Sequence, residues 1–154
     1  MTTTNHQEKG NLLALCQTYV QQRIDTARQA MEAAQEAANS ESKSSAGDKY
    51  ETGRAMAQLE RDRHAQLLAE AMKLSQDLYR LNIEKLYDTI QPGSLVTTNR
   101  GLFFISISAG KLTSDGNDYV AISPASPLAV AMAGRKAGDV ITFNKLTYQV
   151  QAVA

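Results

Sequence analysis

Two carboxylates, Asp48 and Glu51, follow Gly47 at the start of a helical run. Three residues apart on a helix, they project on neighbouring faces. Acids so placed could share a divalent metal ion or orient a water molecule for hydrolysis. The same Asp-x-x-Glu at a helix start is also a capping box, and acids there meet the helix dipole favourably. Local physics alone favours capping. The two uses coexist only partly, because a capping carboxylate is pulled back toward its own backbone.

The other reactive side chains do not assemble into a site. His6 lies near the N-terminus, expected to be mobile, and His64 lies inside the second helical run, so neither joins a metal-ligand cluster. Cys16 falls on the buried side of the first helical run, where a small packed thiol is expected rather than a nucleophile. No phosphate loop, dinucleotide fingerprint or nucleophile elbow is present. A thiol-based condensing or acyl-transfer enzyme would also need a far larger substrate-binding fold.

The elements that would carry the two acids are long helices. Residues 11–40 contain no proline or glycine and are mostly Ala, Gln, Glu, Leu and Arg, which lose little freedom on a helix. Leu13, Val20, Ala27 and Ala34 are spaced by sevens, with Ile24, Met31 and Ala38 four residues after the last three, an a/d heptad seam. A second run from about Asp48 to about Asp88 carries Leu67, Ala71, Leu74, Leu78 and Leu81. Near its start Glu60, Arg63 and His64 interrupt the seam, and Met56 and Leu59 lie off register. The polar cluster of residues 39–47 between the runs is turn-forming, so the pair reads as an antiparallel coiled-coil hairpin with an acidic tip near 41–51. Ala33, Ala34, Ala37 and Ala38 make the seam narrow toward that tip.

Gln91-Pro92-Gly93 ends the helical half. Beyond it, 102–107, 119–122, 140–143 and 147–153 are short β-branched or aromatic runs, with 94–97 opening the sheet. Asn99-Arg100-Gly101 and Ser114-Asp115-Gly116-Asn117 mark turns. Ser126-Pro127 reads as an N-cap with proline at the first helical position, and Gly134 closes the short helix. The expectation is an α+β chain: residues 1–90 as the hairpin and 91–154 as a β-rich domain with one short helix.

Charge and composition narrow the function classes. Sixteen basic residues balance sixteen acidic ones, so no global field draws the chain to nucleic acid or anionic lipid. A single cysteine allows no internal disulfide and fits a reducing compartment. The run Leu12 to Cys16 is too short, and lacks the basic lead-in, for a lipoprotein signal. No stretch reaches the ~18 apolar residues of a membrane span. A cytoplasmic protein is expected.

Taken with these elements, two segments resemble the bacterial GreA/GreB transcript-cleavage factor family. Gly47-Asp48-Lys49-Tyr50-Glu51 matches the family's Gly-Asp-x-x-Glu at the start of the second helix. Residues 126–141, from Ser126-Pro127 through Gly134-Arg135-Lys136-Ala137-Gly138-Asp139, resemble its Ser-Pro, small-helix, Gly-x-Lys-x-Gly-Asp signature, the more specific of the two. The resemblance covers nearly the whole chain. It implies an FKBP-like C-terminal domain docked at the rim of the RNA polymerase secondary channel, with the hairpin reaching to the active centre. There Asp48 and Glu51 would help to hold the second catalytic Mg2+ and position the attacking water, so that the polymerase cleaves backtracked RNA. The chain would be no enzyme in itself, would need no cofactor of its own, and would meet nascent RNA only indirectly.

The sequence departs from the family after Glu51. Thr52-Gly53-Arg54-Ala55 stands where Asn, a variable residue, Glu and Tyr are usual, placing a cation where an acid is expected. A tip so altered could occupy the channel without stimulating cleavage, as non-cleaving homologues are thought to do. The serine-rich approach, residues 40–45, is a further local difference. Two readings outside the family are a prolyl isomerase, for which Phe103, Phe104, Tyr119, Phe143 and Tyr148 without any Trp make a poor pocket, and a plain coiled-coil adaptor.

Overall fold

A computed structural model of the chain describes the backbone of residues 2–43 and 47–154 and the side chains of residues 4–40 and 52–154. Two long helices come first, α1 over Thr2–Lys43 and α2 over Gly47–Tyr79. Six strands follow: β1 Leu95–Thr98, β2 Gly101–Ile105, β3 Gly110–Ser114, β4 Asn117–Ile122, β5 Val140–Phe143 and β6 Leu146–Val153, with the short helix α3, Pro127–Met132, between β4 and β5. The chain is therefore α+β. It divides into two compact units, Met1–Thr18 with Gln76–Ala154, and Tyr19–Ser75.

In the Tyr19–Ser75 unit the two helices lie side by side. Tyr19, Thr26 and Ala30 of α1 line one groove together with His64 and Leu67 of α2. Only three residues separate the helices, so this pairing is antiparallel, a helical hairpin. Val20, Ile24, Ala27 and Ala38 are buried on α1, and Met31 and Ala34 are half-buried between them, matching the expected seam. On α2, Ala71 is buried and Leu68 half-buried, whereas Leu67, expected in the seam, is 44% exposed. The slip follows from the residues nearer the tip. The half-buried positions there are Gly53, Ala57, Arg61, His64 and Ala65, and their spacing carries the inward face on to Leu68.

The other unit holds a mixed six-stranded sheet in the order β3-β4-β2-β1-β6-β5. Only β2 and β4 run parallel, with Phe103 beside Val120; every other pair is antiparallel. Val96, Phe103, Ile105, Ile141, Tyr148 and Val150 form one buried cluster with Ile90 and with Ala129 and Met132 of α3. Phe103 meets Tyr148 edge to face, with centroids 6.3 Å apart. Each large apolar side chain so buried contributes roughly 1.5–3 kcal/mol, which makes this cluster the main source of the unit's stability.

Four expectations need correction. The N-terminal residues are not a loose tail: α1 runs through Gly10 back to Thr2 and carries His6, because Lys9, Leu12 and Cys16 bury there within the same unit as the sheet. Leu12, fully buried, takes the place expected of Leu13, which is half-buried. The second helix stops at Tyr79 rather than near Asp88. Asn82 accounts for the stop, since its Oδ1 accepts the N–H groups of Glu84 and Lys85 at 3.2 and 3.3 Å and so offers the backbone a turn instead of another helical bond. Finally, β3 was not anticipated. Its Gly-Lys-Leu-Thr-Ser sequence has one large apolar residue, Leu112, because an edge strand needs little more.

Candidate functional site

Asp48 and Glu51 both belong to α2, which begins at Gly47, so they occupy its opening turns. Their side chains, like the structure of residues 44–46, lie outside the described residues. What is described begins with Thr52, exposed, then half-buried Gly53 and exposed Arg54, which keeps an interaction of its own. Ala38, on α1, is only 3% exposed. A glycine such as Gly53 within a helix costs ~1 kcal/mol of helix stability against alanine.

Farther along α2, Glu60 has two basic side chains beside it: Arg63 Nη2 at 2.9 Å and His64 Nε2 at 3.5 Å. These are i,i+3 and i,i+4 contacts on one helix, and they explain why three polar residues can stand where the seam breaks. Among the described residues no group of three or more His, Cys, Asp or Glu side chains is placed to hold a metal ion.

Cys16 is a packed thiol. It is fully buried, its Sγ lies 3.7 Å from Ser106 Oγ, and burial pushes its pKa up, only partly offset by the hydrogen bond to Ser106. A protonated, enclosed thiol is a poor nucleophile. Nearby, Tyr119 is pushed up to about 12 by burial, by its hydrogen bond to Glu8 and by that residue's charge. The other carboxylate oxygen, Glu8 Oε1, is buried without a hydrogen-bond partner.

The segment from Ser126 to Ile141 turns out to be a structural joint. Ser126 caps α3, its Oγ accepting the Ala129 N–H at 3.4 Å, with Pro127 at the first helical position. Gly134, at φ 77°, donates its N–H to Ile90 O at 2.8 Å, and Ile90 returns one to Arg135 O at 2.8 Å. Asp139 Oδ2 accepts from the Lys136 N–H at 3.0 Å and closes the turn. Gly138, at φ 97°, donates to Val150 O at 2.8 Å. Positive φ favours glycine at both positions. Each signature residue other than the variable ones therefore has a backbone task, tying α3 to the segment before β1 and to β6.

No protein-family model matches this chain, and no curated protein matches it.

Proposed function

We propose that this chain is a Gre-type transcription factor that binds RNA polymerase, inserts its helical hairpin into the secondary channel and stimulates cleavage of backtracked RNA. The observation that carries the reading is the coincidence of two sequence segments: Gly47-Asp48-x-x-Glu51 opening the second helix of a hairpin, and the Ser126 to Ile141 signature in the sheet domain. In this reading the sheet with α3 is the family's FKBP-like domain, which docks at the channel rim. The protein works in the cytoplasm, and none of the helices described is long and apolar enough to cross a membrane.

Two carboxylates offer too few oxygens for the six-coordinate shell of Mg2+, so Asp48 and Glu51 would share that ion with ligands of the polymerase. The ion supplies Lewis-acid stabilisation and lowers the pKa of the attacking water. The part played by this chain is positional: it delivers two acids on a slim arm, holds them toward the ion and orients the water. The enzyme remains the polymerase.

The test is a cleavage assay on backtracked complexes of the cognate polymerase. Wild type should accelerate release of the short 3′ RNA product, and the Asp48→Ala/Glu51→Ala variant should bind without accelerating it. Unchanged cleavage with wild type would sink the reading. The Thr52-Gly53-Arg54 continuation favours a second reading, a regulator that occupies the channel without assisting cleavage. It is recognised by polymerase binding with inhibition or altered initiation, and an acceleration by wild type eliminates it.

A further inference from the structure

Lys9 has no accessible surface at all, and among the described residues no carboxylate lies within ion-pair reach of its ammonium. Its Nζ donates to the backbone oxygen of Lys85 at 2.7 Å and sits 4.8 Å from the centre of the Tyr87 ring. Lys85 Nζ approaches that same ring at 5.3 Å, so two lysines lie close to one aromatic ring. The neighbouring carboxylate, Glu8, is engaged with Tyr119. The groups facing Lys9 from the segment after α2 are thus a carbonyl, a phenol ring and a second lysine.

That segment is itself well folded. Asn82 Oδ1 holds the amides of Glu84 and Lys85, which fixes the Lys85 carbonyl, and Tyr87 Oη donates to Asn82 O at 3.2 Å. Gly93, at φ 93°, lies against it: a Cβ there would meet Asn82 O at 3.3 Å and the Tyr87 ring at 3.5 Å. The receptor for Lys9 is prebuilt, and it lacks a counter-charge.

We propose that Lys9 is a proton-sensitive latch, holding the first turns of α1 to the 81–88 segment most tightly when its amine is neutral. A neutral amine still donates to Lys85 O, while the charged form bears the desolvation cost. Burial lowers the Lys9 pKa from 10.5 to about 8. The released state therefore binds more protons between those values, and docking strengthens as pH rises through that window, levelling off below about 8 and above 10.5. The latch is independent of the polymerase reading.

The experiment follows the full-length chain by thermal unfolding and by hydrogen exchange of residues 8–16, across the window from about pH 8 to 10.5. Lys9→Met, which keeps the buried stem without the amine, is compared with wild type, and Lys73→Met on exposed α2 is the control. Relative to Lys9→Met, wild type should gain protection of those amides by roughly ten- to a hundredfold across the window. Lys73→Met should track wild type. Parallel profiles for wild type and Lys9→Met overturn the proposal. If Lys9→Met does not fold, the side-chain NMR titration of Lys9 in wild type decides. A midpoint near 8 upholds the latch, and one near 10.5 overturns it.

Discussion

Ser126 illustrates how much one side chain can fix. Its Oγ donates to Ser123 O at 2.8 Å and accepts the Ala129 N–H, so it closes the preceding turn and opens α3 together. Ser126→Ala should cost about 1 kcal/mol in urea unfolding, with Ser126→Asp recovering most of it. No loss in the alanine variant would remove the cap from the account. Truncating Met132, the fully buried last residue of that helix, to alanine should cost about 2–5 kcal/mol in the same measurement. Cys16 belongs to the same scale: alkylation should be slow in the folded chain and fast in denaturant, whereas equal rates would return it to the list of reactive groups. The α3 cap was legible in the sequence because N-cap, proline and glycine act within a few residues. The role of Asp48 and Glu51 was not, because the same three-residue spacing serves a capping box and a pair of metal ligands alike.

At the scale of elements, legibility followed how local the deciding interaction was. The strand β5 and the two-residue turn before β2 fell where β-branched runs and Asn-Arg-Gly had placed them. The helix ends did not, because distant partners settle them. The run through Gly10 is kept helical by the burial of Lys9 and Leu12, which no periodicity in residues 2–10 announces. The stop at Tyr79 rests on Asn82, and here the signal was available: an Asx side chain competing for backbone amides within a leucine-bearing stretch. Asn82→Ala should therefore destabilise the chain by about 1 kcal/mol, since two amides lose their acceptor, and Asn82→Asp should restore it. If Asn82→Ala were neutral, the termination of α2 would have to be credited to the burial of Tyr87 and Ile90 alone.

Across the whole molecule the two units differ in what they bury. The Tyr19–Ser75 unit closes its seam with Val20, Ile24 and the alanines Ala27, Ala38 and Ala71, so each contact removes little apolar surface. The sheet unit buries Phe103, Ile105, Met132, Tyr148 and Val150 in a single cluster. At ~0.8 kcal/mol per buried methylene, an alanine seam yields far less per residue than that cluster, and helix propensity makes up only part of the difference. Local opening should consequently be concentrated in the hairpin. Native-state hydrogen exchange should find amides of β1, β2 and β6 exchanging only by global unfolding, while those of residues 24–40 and 52–68 exchange through smaller openings, faster by at least tenfold. Equal protection in the two units would contradict the seam argument. In the proposed reading this low local stability has a use: alanine keeps the arm slim enough to enter a channel, and the weaker seam is the physical consequence of that slimness.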